Sequence, residues 1–296
     1  MPFLVLEPRT SAVPVVGHVP HASTAIPIGV REEILLDDEA LALELVRLTD
    51  WHTDDLFEWL RDRGATMFVN QLSRLVFDPE RFADDAQEPM AAVGQGAIYT
   101  RTTSGELLRE LTAEQRARRM AELFVPYQAA LSELVGPILA RAGRCTLIDC
   151  HSFATLPLPS ETDQDPDRPD ICIGTDPFHT PAALADGLER AFRAEGWRVR
   201  RDSPFSGCLV PLDRYRRDRR VASVMIEVRR GLYCDESTGK RLPAFAGVRA
   251  AIERAVAASR LLDWAPLGVE LAAGDRDDSA RDVGGSRRGR KDEGSG

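Results

Sequence analysis

The chain has 296 residues, 43% of them hydrophobic and 29% charged, with a formal net charge of −9 and a pI near 5.2. That composition is ordinary for a globular protein, and the acidic balance argues against general nucleic-acid binding, which needs a basic face. No run approaches the ~20 apolar residues of a membrane span, and Met1 to Thr10 lacks the basic start and long apolar stretch of a secretory signal. Cys145, Cys150, Cys172, Cys208 and Cys234 are odd in number and lack C-x-x-C spacing, which fits a reduced, cytoplasmic chain.

Ala12 to His18 reads as a strand, with Pro14 near its start, where a missing N–H is tolerated. It runs into Val19-Pro20-His21-Ala22-Ser23, a histidine-bearing turn that Pro20 stiffens. Asp37 to Arg61 reads as the first helix, interrupted by the polar stretch Thr49 to Asp55. That stretch is either a helix break, with Thr53 or Asp54 as the next N-cap, or a ligand loop. Ala65 to Val69 reads as a strand, and Leu75 to Phe77 as strand-like, flanked by Arg74, Asp78 and Arg81. Residues 83–105 read as loop. Leu107 to Arg141 carries apolar residues at helical spacing, with a bend near Pro126. Thr146 to Ile148 reads as a buried strand that ends in Asp149, His151 and Ser152. Pro157 to Pro169 is an acidic, proline-rich loop. Short strands follow at Ile171 to Ile173 and Trp197 to Val199, with an amphipathic helix, Pro181 to Glu195, between them. Ser203 to Gly207 is a loop, Val221 to Val228 a strand, and Leu242 to Leu262 the last helix. Residues 274–296 hold Gly, Ser, Asp and Arg with almost no large apolar residue, so they read as a disordered tail behind a single domain of residues 1–273.

Strands alternating with helices argue for an α/β fold with a largely parallel or mixed sheet. No G-x-G-x-x-G or G-x-x-x-x-G-K-[ST] opens a helix, so nucleotide binding has no support. In open α/β sheets ligands sit beyond the carboxyl ends of the strands, and here those ends carry His21, Asp149 with His151, and Glu227. Two imidazoles and a carboxylate with an open fourth position form the ligand set of a catalytic zinc. A separate carboxylate is then needed to deprotonate water. Glu227 suits that role, because it lies in an otherwise apolar run where an unpaired carboxylate is costly. Arg229 and Arg230 follow at once and could pair it or hold an anionic substrate. The plainer alternative makes Glu227–Arg229 a structural ion pair, and Arg74 and Arg81 partners of Asp78, Asp84 or Asp85. His18 reads as a strand-end residue, although its closeness to Pro20 could place it at the rim of the site. Cys150 points away from His151, because a strand alternates sides.

Five segments, taken together and in this order, resemble the N-formylglutamate amidohydrolase family: Val19 to Pro27, Thr49 to His52, Ser73 to Arg81, Asp149 to Ser152 and Met225 to Tyr233. The likeness spans residues 12–262. It implies a three-layer α/β/α fold around a central mixed, largely parallel sheet, of the kind shared by zinc carboxypeptidases and aspartoacylases. It also implies hydrolysis of an N-formyl or other N-acyl amino acid, a small-molecule partner, with Zn2+ as cofactor. Carried over by position, His21, Asp50 and His151 are the implied metal ligands, with Asp54 as the alternative carboxylate. Glu227 is the implied general base, and Arg74, Arg81 and Arg230 are the implied anchors of the substrate carboxylate. Asp149 is implied to accept the second ring N–H of His151. A zinc peptidase acting on another acyl group, or a binding protein on the same fold, are the alternatives. The chain departs from the family pattern at Glu80, which stands in Asp78-Pro79-Glu80-Arg81 where Asn is usual, and at Arg229, where Asn is common. It also has Thr24 where the related carboxypeptidases place a glutamate.

Overall fold

The computed structural model describes residues 2–263; the tail read at 274–296 and the domain end at residue 273 lie outside the described residues. Seven strands form one sheet: β1 (Phe3–Leu6), β2 (Val15–Val19), β3 (Thr66–Asn70), β4 (Cys145–Phe153), β5 (Ile171–Gly174), β6 (Val199–Arg201) and β7 (Val221–Arg229). Their order is β1-β3-β2-β4-β7-β5-β6. The central four, β3, β2, β4 and β7, run parallel. β1 pairs antiparallel with β3, and β5 antiparallel with β7, so the sheet is mixed and largely parallel, as expected.

Strands covered on both faces must be apolar on both, and β2, β3 and β4 are buried throughout. One face carries Val15, Val19, Ile148, Cys150, Val224 and Ile226. It packs against the helices Ala182–Ala194 and Phe245–Ala258, through Leu184, Leu188, Phe192 and Ile252. The other face carries Val16, Phe68, Leu147 and Val221 and packs against Tyr127, Leu131 and Val135 of the helix Val125–Ala142. The three layers follow from that alternation. The helical run Ala113–Ala142 is long and apolar enough to cross a membrane by length and composition, yet here Tyr127, Leu131 and Val135 are buried against the sheet. A smaller cluster, including Leu41, Leu48, Leu75 and Tyr99, joins the helix Asp38–Leu48 to the loops around the site.

The structure departs from the sequence reading in several places. Asp37 to Arg61 is not one helix. Asp38–Leu48, capped by the Asp37 carboxylate on Ala40 N–H, ends at Thr49 in an extended conformation. His52 then takes a left-handed φ of 63°, and short turns follow at Thr53–Leu56 and Glu58–Arg63. The helix-break alternative holds for Thr49 to Asp55, with His52 in place of Thr53 or Asp54 at the N-cap position of the next turn. Leu75 to Phe77 is a turn, not a strand; its side chains are apolar because the loop is itself buried. The helix read from Leu107 starts at Ala113, where Thr112 and Gln115 form a capping box. A π turn over Met120–Phe124 precedes Pro126, whose ring removes a backbone donor. β1 and the hairpin of Cys234–Asp235 with Lys240–Arg241 went unread, since both are short and partly exposed and carry little apolar pattern.

Register positions the chemistry. His18 of β2 lies opposite Asp149 of β4, and His151 of β4 lies opposite Glu227 of β7. All four share the face that holds Val16 and Leu147, by strand alternation. Leu131→Ala, in the helix on that face, should destabilise the fold by ~2–5 kcal/mol because Leu131 is fully buried. A denaturant titration showing under ~1 kcal/mol would contradict this account of the core.

Candidate metal centre and active site

Three chain segments converge beyond the carboxyl ends of β2 and β4. Asn70 donates to the Pro20 carbonyl at 2.8 Å, which holds the turn carrying His21. The Asp50 N–H donates to the His21 carbonyl at 3.0 Å, tying the Thr49–Asp55 loop to that turn. Asp50 Oδ2 then lies 3.1 Å from His151 Nδ1 and 3.7 Å from His21 Nδ1. One ligand atom from each of the three residues lies within 4.8 Å of the other two. Ligands ~2.0–2.1 Å from a tetrahedral ion stand about 3.4 Å apart, so these gaps bracket the spacing a metal needs.

His21 supplies the sharper test. Its Nε2 is 2.9 Å from Asp78 Oδ1, while its buried Nδ1 has no hydrogen-bond partner. Buried polar atoms are normally satisfied, so a nitrogen left bare beside a carboxylate and a second imidazole fits a metal ligand. A carboxylate on the outer nitrogen is the usual support for such a ligand. The donor set, two nitrogens and one carboxylate, suits zinc and accepts neighbouring divalent metals. Asp54, the alternative carboxylate, is exposed and lies outside the cluster.

The surroundings differ from expectation in one respect. Asp149 does approach His151 Nε2, at 3.2 Å, but its shorter contact, 2.8 Å, is to His18 Nδ1. The Glu80 oxygens stand 3.1 and 3.2 Å from the same His151 nitrogen. His18 is fully buried and also reaches the Tyr127 hydroxyl, 2.7 Å from its Nε2. His18, Asp78 and Glu80 were named near the site from the sequence, but not for these contacts with the imidazoles, and Tyr127 was missed altogether. The signal for His18 was its parity: it sits on the same sheet face as Asp149 and His151. Among the described residues two other groups stand close enough for an ion, His18 with Glu80 and Asp149 and His21 with Asp78 and Glu80; in the first, both His18 nitrogens are taken by Asp149 and Tyr127, and in the second, His21 Nε2 is taken by Asp78.

Two arginines read from the sequence flank one carboxylate. Arg74 Nη2 is 2.8 Å from Asp78 Oδ2, and Arg81 Nε is 3.6 Å from it. Tyr99 donates its hydroxyl to Asp78 at 2.9 Å and accepts from Arg74 Nε at 3.1 Å. The Asp78 pairings foreseen as the plainer alternative are thus present, while both arginines also line the cavity. Arg230 donates to the Arg47 carbonyl at 2.9 Å, approaches Ser152 at 3.4 Å and comes within 3.6 Å of Asp50 Oδ1. Arg229 pairs with Asp170 across the sheet, so the ion pair with Glu227 is not formed.

Glu227 faces the cavity alone. It is only 6% exposed, and its Oε2 has no hydrogen-bond partner. Burial pushes its pKa up to about 8, with help from Asp50 and Glu80 and against the pull of His151 and Arg74. Burial acts the same way on Asp50 and Asp78, but there the imidazoles, and for Asp78 also Arg74 and Arg81, outweigh it and hold both below the usual carboxylate range. Burial would lower His151, yet Glu80 and Asp149 hold it well above the ordinary imidazole value. Glu227, Asp50, His151, Glu80, Asp149, Arg74 and Arg81 line a cavity of about 810 Å³.

Such a sheet, with a histidine–carboxylate cluster beyond the ends of its parallel strands, defines an α/β protein with a candidate metal centre. The family is also shown: the sequence profile of the N-formylglutamate amidohydrolase family matches residues 13–234, and the chain belongs to that family. It is 29% identical over 239 residues to the N-formylglutamate deformylase of Pseudomonas aeruginosa, covering 78% of this chain and 86% of that one. It is 30% identical over 154 residues to the N-formylglutamate deformylase of Pseudomonas putida, covering 50% of this chain and 55% of that one. The crystal structure of an N-formylglutamate amidohydrolase from Ralstonia eutropha JMP134 superposes with a TM-score of 0.78 at 25% identity, covering 88% of this chain and 98% of that one.

A raised carboxyl pKa has a defined consequence for stability. Glu227 holds its proton more tightly folded than unfolded, so its contribution is complete below about pH 4.5 and is lost as the pH rises through about 8. Metal-free Glu227→Gln should match metal-free wild type near pH 4.5 and exceed it in stability above about pH 8. The gain should be on the order of a few kcal/mol. Urea midpoints of the two chelator-treated proteins across that range check this, and parallel curves would refute it.

Proposed function

We propose that the chain is a zinc-dependent amidohydrolase that cleaves the amide bond of an N-formyl or other N-acyl amino acid. The observation that carries this is the bare, buried Nδ1 of His21 beside Asp50 and His151, with the unpartnered Glu227 carboxylate in register with His151. The relatives named as deformylases support the reaction class.

In this reading His21, Asp50 and His151 hold the metal. When bound, zinc polarises the substrate carbonyl and makes water nucleophilic near neutral pH. Glu227 takes a proton from the attacking water and delivers it to the nitrogen as the C–N bond breaks. The products are formate, or another carboxylate, and the free amino acid. Asp78 fixes His21 through Nε2, and Asp149 with Glu80 fixes His151 through Nε2, so each imidazole presents Nδ1 to the metal. Arg74 and Arg81 hold the substrate carboxylate from either side of Asp78, where a planar guanidinium fits two oxygens. Arg230, its donors turned to Ser152 and the Arg47 carbonyl, braces Asp50 more than it reaches substrate.

Elemental analysis should find about one zinc per chain in wild type and none in His151→Ala. Glu227→Gln should keep its zinc and lose ~10²–10⁴-fold in kcat on N-acyl amino acids. A wild type that carries no metal and takes none up from zinc solution would sink the mechanism.

A further inference from the structure

The cavity is larger, and its charge differently arranged, than a short dicarboxylic substrate requires. At about 810 Å³ it falls in the upper part of the ~300–1,000 Å³ range that houses drug-sized ligands. A formylated acidic amino acid is much smaller.

The arginines that line it supply one anion anchor. Arg74 and Arg81 converge on Asp78 and form a single donor cluster. Arg230 is 3% exposed and directed at Ser152 and the Arg47 carbonyl. Arg47 turns to Ser104 and Glu44. Against that stands Glu80, whose side chain lines the cavity at 14% exposure. Among the described residues its ion-pair partners are imidazoles alone, those of His18, His21 and His151. A second substrate carboxylate would meet this anion, and among the described residues the other lining guanidiniums, Arg230 and Arg47, are turned to the contacts just given, in a cavity where water screens poorly.

Part of the remaining wall is aromatic, set among polar and acidic side chains such as Asp163 and Asp176. Phe82 and Tyr215 lie with ring centroids 5.8 Å apart, and Phe153 and Phe205 meet edge to face at 5.9 Å. The Arg168 guanidinium backs the second pair, 5.7 Å from the Phe205 ring and 5.8 Å from the Phe153 ring. Phe82, Tyr215 and Phe205 are only half-buried, so apolar ring surface is left for a ligand to cover. Aromatic faces of this kind favour stacked or edge-on rings.

We propose that the substrate is an N-acyl amino acid with a single carboxylate and a bulky aromatic or aliphatic group, the carboxylate on Arg74 and Arg81 and the apolar group against the aromatic wall. This rests on the amidohydrolase reading above and narrows its substrate.

The test uses the zinc-loaded full chain with three compounds: N-formyl-L-glutamate, N-formyl-L-phenylalanine and N-benzoylglycine. The expected result is a kcat/KM at least about tenfold higher for one of the two aromatic compounds than for N-formyl-L-glutamate. Glu80→Asn should narrow that ratio, chiefly by lowering KM for the glutamate compound. Phe205→Ser should cost the aromatic compound about tenfold more than it costs the glutamate compound. Should Phe205→Ser fail to fold, Phe82→Ser is measured in the same way. N-formyl-L-glutamate as the fastest substrate, or ratios that neither substitution moves, would overturn the proposal while leaving the amidohydrolase intact. So would bound zinc with no turnover of any compound. A chain that neither binds zinc nor cleaves anything overturns both.

Discussion

Parallel pairing of β2, β4 and β7 is the constraint on which the site depends. It places His18 beside Asp149 and His151 beside Glu227, with the side chains on one face and near the carboxyl ends of the strands. A slip of one residue would turn Asp149, His151 or Glu227 into the opposite core, where Ile148, Cys150 and Ile226 now pack. Apolar alternation on both faces therefore fixes the positions of the polar groups as firmly as any contact among them. Once the register is set, His21 and Asp50 need only short loops to reach His151, and the Asp50 N–H bond to the His21 carbonyl ties those loops together.

Burial of so many carboxylates explains the rest of the site's character. Asp50, Asp78, Asp149 and Glu227 are nearly inaccessible, and Glu80 is close to it. Each needs a partner, because an ionised carboxylate out of water is costly. Asp78 has His21, Arg74, Arg81 and Tyr99; Asp149 has His18 and the Leu209 N–H. Glu227 has none, and its raised pKa is the result. The groups best satisfied hold others in place, while His21 Nδ1 and Glu227 Oε2, to which the proposed chemistry is given, are left bare, as are Arg81 Nε, Gln95 Nε2 and Gln128 Oε1 in the cavity wall. Strongly shifted acids and unsatisfied donors cluster at functional sites for this reason.

The strands that carry the site were legible, because β2, β4 and β7 are apolar runs ending abruptly in His, Asp or Glu, and the helices over them have clear periodicity. The ordered segments from Val19-Pro20-His21 to Met225-Ile226-Glu227 made the family legible as well, and the profile match over residues 13–234 bears that out. What was not legible was local geometry in the irregular segments. Thr49 to Asp55 looked like a faltering helix because its flanks are helical, whereas His52 turns left-handed and carries Asp50 inward. Leu75 to Phe77 mimicked a strand because a buried loop is apolar too. Arg229 looked like a partner for Glu227 but reaches Asp170 on the segment before β5.

By itself the sequence determined the class of fold, the acidic balance, the family, and a short roster of residues from which any site would be drawn. Those follow from periodicity, composition and ordered motifs, which are properties of neighbouring residues. Only the tertiary structure decided which of the roster meet. It placed Asp50, and not Asp54, beside His21 and His151, brought Asp149 and Glu80 to the outer nitrogen of His151, directed Arg230 to Ser152, and set two aromatic pairs around the cavity. Those outcomes depend on side-chain direction and on distances between segments remote in the chain, and these are set by packing after the sheet has formed.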